Sequence, residues 1–329
     1  MTTGIGHIRR SAQLAIELKN RKHEVLFCIK HQFGSIEAFK KYKLKSFIIS
    51  CSDQLPELLK LYPQTKLIVA DLEDITREDT QKITALYPEM KILALDYFDM
   101  EDDRVHTIIN LCNHNVLFHT PVSQKVKYLE GPLFGILRSE FKTFLRKKKK
   151  KPKRSLKSLL VTFGGSDPRQ HTLSVIPILE DLLTNHKCSV TIVIGPNFIN
   201  KAQVMEAVSK CKLDISCVED PANIAKLMNK ADLCICGSGT TILELAALGT
   251  PAMIVPQSPA ENNFSKVFEG SGFAYIVGSP DGIDKEKLQN AITHFSKPKA
   301  LELASLIGPQ LCDGEGDERI INEIGILLK

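Results

Sequence analysis

Short apolar runs recur along the chain, and the stretches between them place apolar residues every three or four positions. From His23 to about His119 the runs HEVLFCI, SFIIS, LIVAD, KILALD, TIIN and NVLFHT have the β-branched and aromatic bias of strands. Between them, Gln54 to Leu61 and Thr76 to Leu86 have the spacing of amphipathic helices. This alternation predicts parallel strands joined by crossover helices. After a lysine-rich stretch it resumes with SLLVTFGG, SVTIVIG, ISCVE, DLCICG, AMIVP and AYIVG, again with helical segments between. Two doubly wound α/β units follow from the pattern. Lys299 to Ile307 and Glu318 to Leu328 are amphipathic with no strand after them, and are expected to pack back across the first unit. The expected boundaries are residues 1–145 for the first Rossmann-like domain, 146–155 for a linker, 156–312 for the second domain and 313–329 for a returning helix.

Length and composition agree with this division. A chain of 329 residues with 43% apolar content can build two ordinary cores. The net charge of +5 is set by one stretch, RKKKKKPKR from Arg146 to Arg154, which holds eight basic residues. A proline-containing basic run reads as a solvated linker, with a surface for anionic lipid or nucleic acid as the alternative. Tryptophan is absent and tyrosine sparse, so there is little to stack on bases and no nucleic-acid partner is expected. The nine cysteines are an odd number and lie mostly in apolar runs, which makes them reduced core residues. Cys234 and Cys236 have the wrong spacing for a zinc knuckle or redox pair. With no signal peptide and no apolar run of about 18 residues, the expected place is the cytoplasm, without stable membrane insertion. No metal or cofactor is expected.

In open α/β sheets, ligands bind beyond the carboxyl ends of the strands, so two such units imply a cleft lined by strand-to-helix loops. The first loop is GIGHIRR. Ile8, Ala12, Leu14, Ala15 and Leu18 give it a following helix, but only three residues precede it, and the strand that should position it is expected to be missing through a late start or a truncation. His7 sits at the mouth of this loop, where an imidazole near neutral pH can act as a general base. Arg9 and Arg10 can hold anions or lie on the helix surface. Asp71 and Asp96 end strands and can orient a base, bind sugar hydroxyls or cap the next helix. The carboxylates Asp99, Glu101, Asp102 and Asp103 form one loop without histidine spacing, which reads as solvated.

The second half carries the stronger signal. In CGSGTTILE a strand ends at Cys236, Gly237 and Gly239 allow close approach, Ser238 and Thr240 offer hydroxyls, and a helix begins near Thr241. Such a turn can hold a diphosphate on free N–H groups at the positive end of a helix dipole. Glu244, one turn on, is within reach of a ribose diol or is a surface carboxylate. TFGGSDP is a second such turn: Gly164 and Gly165 permit close approach, and Ser166 or Asp167 can cap a helix with Pro168 in its first turn.

Four motifs, GIGHIRRSAQLA, YLEGPLFGILRSEF, LLVTFGGSDP and CGSGTTILELAALGTPAMIVP followed by AENN, resemble the PseG/SpsG family over nearly the whole chain. These are UDP-sugar hydrolases of pseudaminic acid biosynthesis, and they resemble the GT-B glycosyltransferase MurG. The resemblance implies a GT-B fold and metal-independent, inverting hydrolysis of a UDP-linked 2,4-diacetamido-2,4,6-trideoxy sugar. By it His7 is the base or positions the water. Gly237, Ser238, Gly239, Thr240, Thr241 and Glu244 hold the nucleotide. Substrate contacts are expected at Gly4, Gly6, Arg10, Asp71, Asp96, Arg138, Gly164, Gly165, Ser166, Asp167 and Asn262. The chain departs from the family near the sugar: Glu73 stands for a tyrosine, Leu95, Asp96 and Tyr97 for the IDD motif, and Asn263 for a glutamine. A MurG-like transferase and an inactive nucleotide-sugar-binding protein are the alternatives.

Overall fold

A computed structural model describes residues 6–30, 42–71, 76–96, 101–111, 123–146, 152–184 and 187–329. Gly4, Glu73, Tyr97, Asp99, Lys147–Lys151 and the expected strand NVLFHT lie outside the described residues. The chain divides into two compact units, residues 1–139 with 314–329, and residues 140–313.

In the first unit, α1 (Gly6–Asn20) turns Ala12, Leu14, Ala15 and Leu18 inward. The described strands form two parallel sheets. One pairs β1 (Phe27–Lys30) with β2 (Ser46–Ile49). The other runs in the order β3 (Leu67–Ala70), β4 (Lys91–Leu95), β5 (Thr107–Asn110), β6 (Lys127–Glu130). The helices α2 (Leu55–Leu61) and α3 (Arg77–Leu86) lie where the spacing placed them, and Thr76 and Asp79 close α3 with a capping box. The chain's last helix joins this unit. Ile320, Ile321 and Ile324 share a core with Leu14, Leu18, Leu93, Leu95 and Ile109, and fully burying each such side chain is worth about 1.5–3 kcal/mol. Its buried Glu323 accepts from Thr107 Oγ1 at 3.0 Å and Lys127 Nζ at 2.5 Å.

The second unit is built on a six-stranded parallel sheet in the order β12 (Ala274–Ile276), β11 (Ala252–Ile254), β10 (Leu233–Cys236), β7 (Ser158–Thr162), β8 (Ser189–Ile194), β9 (Ile215–Glu219), with a short antiparallel pair, Gly278–Ser279 and Gly282–Ile283, beside it. Counted within the unit this is the doubly wound order 3-2-1-4-5-6 read from its far edge, and the strand order reverses between the parallel neighbours β7 and β10. That is where a ligand crevice belongs. The central strands are apolar on both faces because helices cover both.

Three sequence expectations need correction. Lys299 to Ile307, expected to pack across the first unit, lie in the helix Pro298–Leu311, whose Leu301 and Ala304 join the core of the second unit. Lys153 is not part of a solvated linker, although Arg154 beside it stays exposed. Lys153 Nζ donates to Asn229 O at 2.9 Å and to Ala231 O, its N–H donates to Ser305 Oγ at 3.2 Å, and Arg154 pairs with Glu302. Burial lowers the Lys153 pKa. The acidic loop is not wholly solvated either: Asp102 is buried, accepting from Thr80 Oγ1 and, at 2.6 Å, from Arg104 Nη1. Neighbouring donors supply what water would otherwise give it.

Candidate functional site

Each unit gathers polar groups at the carboxyl end of its sheet. In the first, the start of α1 supplies His7, Arg10 and Ser11, the residue after β3 supplies Asp71, and the residue after β4 supplies Asp96. Arg10 grips Asp71 with two nitrogens, Nε to Oδ2 at 2.9 Å and Nη2 to Oδ1, while its Nη1 reaches Asp96 Oδ2 at 2.6 Å. Ser11 Oγ also donates to Asp71 Oδ2. His7 Nδ1 lies 3.0 Å from Asp71 Oδ1 and 3.0 Å from Arg10 Nη2.

The electrostatics follow from burial. Desolvation works against both charged forms, but the mutual attraction and hydrogen bonds of Arg10 and Asp71 outweigh it: the carboxyl is held well below the usual carboxylate range and the guanidinium above its ordinary value. Asp96 reaches this network from a left-handed backbone, φ +51°, and its Oδ1 accepts from Leu111 N at 2.9 Å. A non-glycine residue in that region costs about 1–3 kcal/mol, so its bonds on both sides hold it there. Side-chain exposure is 7% for Arg10 and Asp71 but 31% for His7. Solvent and ligands therefore meet the imidazole, while the ion pair lies behind it. In the tautomer that donates from Nδ1 to Asp71, Nε2 carries the lone pair and can accept a proton.

In the second unit, the loops after β7, β10 and β11 converge. Gly237 is packed so closely that a Cβ there would lie 2.8 Å from Gln257 Nε2, and Gln257 Nε2 donates to Phe163 O across the β7 loop at 3.4 Å. Helix α8 (Gly239–Ala247) begins two residues earlier than the expected Thr241. Ser238, its N-cap residue, is fully buried, and neither its Oγ nor the buried Oε1 of Gln257 has a partner among the described residues. Gly164 takes φ +78°, which a side chain would disfavour.

The β7 loop departs from expectation in one respect. Its helix α5 (His171–Leu183) starts after Pro168, and Asp167 closes it from outside the first turn by accepting from His171 N at 3.0 Å and Thr172 N at 2.8 Å. Both oxygens of that buried carboxylate are thereby used on the protein's own amides. The buried Thr172 Oγ1 and His171 Nε2 beside them have no partner among the described residues, and burial lowers the His171 pKa.

Of the expected site residues, the structure brings together His7, Arg10, Asp71 and Asp96 in one unit, and Gly164, Gly165, Ser166, Gly237, Ser238, Gly239, Thr240 and Thr241 around adjacent loops of the other. The carboxylates of Asp71 and Asp96, expected to contact substrate, are bonded to α1. Glu244 is buried within α8, and Asn262 lies in the first turn of α9 (Pro259–Gly270). Arg138, partly buried, falls between β6 and the next helix. Sequence reasoning missed Ser11, Gln257 and Glu261. The last two stand in the loop PQSPAENN after AMIVP, so their position after a strand was the available signal. Among the described residues, no three His, Cys, Asp or Glu side chains are grouped so as to hold a metal ion, and no helix is long and apolar enough to cross a membrane.

Comparison with known proteins fits this geometry. Residues 159–305 match the glycosyltransferase family 28 C-terminal domain. An uncharacterized protein of Methanocaldococcus jannaschii is 29% identical over 78% of this chain, which spans only 53% of that protein's length. The spore coat polysaccharide biosynthesis protein SpsG of Bacillus subtilis is 23% identical over 96% of this chain and 93% of its own. Among solved structures, MurG of Acinetobacter baumannii superposes with a TM-score of 0.72 at 13% identity, covering 97% of this chain and 96% of that one. MnaA of S. aureus, solved with UDP, gives 0.63 at 14% identity over 99% and 94%. The fold is that of the GT-B glycosyltransferases. The chain is glycosyltransferase-like, with its family 28 match confined to the second unit.

Proposed function

We propose that the protein hydrolyses a UDP-linked 2,4-diacetamido-2,4,6-trideoxy sugar, releasing UDP and the free sugar with inversion. The observation that carries the reading is the pairing of an accessible His7 with a buried Asp71, itself fixed by Arg10. In this reading His7 Nε2 takes a proton from water as its oxygen attacks the anomeric carbon. Asp71 holds the ring and stabilises the imidazolium that forms, and UDP leaves with the bonding pair of the glycosidic C–O bond. The β10–α8 loop receives the diphosphate, whose growing charge is offset by N–H groups and the helix dipole. The likeness to the spore coat polysaccharide biosynthesis protein SpsG over nearly the full length supports a role in polysaccharide synthesis.

A second reading is transfer of the sugar to an acceptor other than water. The family 28 match and the likeness to MurG favour it. UDP release from UDP-2,4-diacetamido-2,4,6-trideoxy-altrose, with the sugar product followed by NMR, separates the two. Hydrolysis without added acceptor that falls by about 10²–10⁴ in His7→Ala supports the first. Binding of the nucleotide sugar without hydrolysis moves the assignment to the second if the sugar passes to an added acceptor, and to a nucleotide-sugar-binding protein without turnover if it does not.

A further inference from the structure

The sequence Ser258-Pro259-Ala260-Glu261 has the S-x-x-E spacing of a capping box, in which the glutamate would reach back to the N–H of Ser258. The structure keeps only half of that box. Ser258 Oγ accepts from Glu261 N at 3.2 Å, but the carboxylate turns away: one oxygen, Oε2, accepts from Gln257 N at 2.8 Å and from Ser238 N, on the β10 loop, at 3.3 Å. Its other oxygen faces Gly239, 3.8 Å from where a Cβ there would stand. A single carboxylate oxygen thus lies where amides of two loops converge, at the N-terminal end of α8 and in the first turn of α9. Two helix starts favour negative charge at this point. The buried Ser238 Oγ on the same loop, with no partner among the described residues, supplies a further polar group.

We infer that Glu261 is a resident anion of this loop cluster, holding its amides in an anion-accepting arrangement while its charge opposes the entry and retention of a diphosphate. The inference rests on the proposed nucleotide site in the second unit and assigns to Glu261 the setting of affinity there. A phosphate oxygen and the carboxylate oxygen want the same donors and repel each other, so the site binds a diphosphate product loosely enough to let it go. A purely structural clamp predicts the opposite response to mutation, because loosening the two loops weakens every ligand.

Isothermal titration of the full chain and of Glu261→Gln with UDP, inorganic diphosphate and uridine tests this. Glutamine keeps an oxygen for the two amides and removes the charge. The expected result is UDP and diphosphate bound roughly three- to tenfold more tightly at low salt, with uridine unchanged and the gain shrinking as salt is raised. Glu261→Ala, which also removes the repulsion, repeats the measurement if the glutamine variant folds poorly; a gain for UDP but not uridine is again expected. Weaker or unchanged UDP binding in a folded variant, while the unmutated chain binds UDP, overturns the inference and leaves the nucleotide site standing. Failure of the unmutated chain to bind UDP at all overturns the nucleotide site and this inference with it.

Discussion

In the first unit, both oxygens of Asp71 are bonded, three nitrogens of Arg10 are in use on two carboxylates, and Asp96 is anchored on both sides. In the second, Ser238 Oγ, Gln257 Oε1 and Thr172 Oγ1 are buried without partners among the described residues, and the carboxylates Asp167 and Glu261 sit on backbone amides. One cluster is a buried ion pair with its bonds made; the other is a set of amides and unused polar atoms. The difference suits different tasks. A proton acceptor needs a fixed ring and a compensated charge behind it, whereas a cradle for a polyanion needs donors whose bonds are still to be made.

The comparison breaks most severely at Arg10. Arg10→Met leaves Asp71 charged, buried and without its main partner, which is expected to cost about 3–5 kcal/mol. Hydrogen exchange followed by mass spectrometry should show lost protection in α1 and around β3 and β4, with the second unit unchanged. Equal loss in both units would contradict the separation of the two clusters.

A smaller effect is expected from Asp96→Asn. Asparagine tolerates the left-handed backbone and can still accept from Leu111 N, so the loss is the charged part of the bond to Arg10, about 1–2 kcal/mol, read by urea denaturation. Gly164→Ala has a comparable cost from its backbone alone, about 1–2 kcal/mol, because nothing lies within 4 Å of the added Cβ. No loss in the alanine variant would show that φ +78° is not required.

Ser238→Ala sharpens the contrast by its sign. Removing a buried hydroxyl with no partner among the described residues should leave stability unchanged or raise it by about 1 kcal/mol, while weakening UDP binding about fivefold. A saturated group of the first unit would lose stability on the same treatment.

The pH dependence distinguishes the regions last. The depressed Asp71 carboxyl contributes stability that is complete above its ordinary value, about 4, and is lost only as pH falls through its lower folded value. His171, held neutral by burial, acts at higher pH. The unfolded chain takes up its proton below about 6.5 while the folded chain resists, so stability falls as pH drops through that window. In His171→Gln this part of the slope should vanish, measured as the change in melting temperature between pH 7 and pH 5.

Much of this was legible in the amino-acid order. Periodicity located the strands of the second unit closely, because central parallel strands are apolar on both faces and glycine marks their ends. The strand predicted as HEVLFCI begins at Phe27, since in a short strand the boundary depends on pairing rather than on composition. His7, the two aspartates and the glycine loops could be singled out because each follows or opens an element at the side where ligands bind. Arg10 was visible only as one of two arginines on a helix. Its selection over Arg9 depends on which helical face meets β3 and β4.

The kind of fold, the order of its elements and the loops that can carry chemistry are written in the order of amino acids, because they follow from local periodicity and backbone preference. The tertiary structure alone decided the partners. It turned Asp71 and Asp96 from free carboxylates into the support of a histidine, built Lys153 into the second unit, and sent Glu261 to amides of a neighbouring loop instead of its own helix cap. Such choices depend on distances between residues far apart in the chain, and in a buried site every donor and acceptor competes for the same few partners.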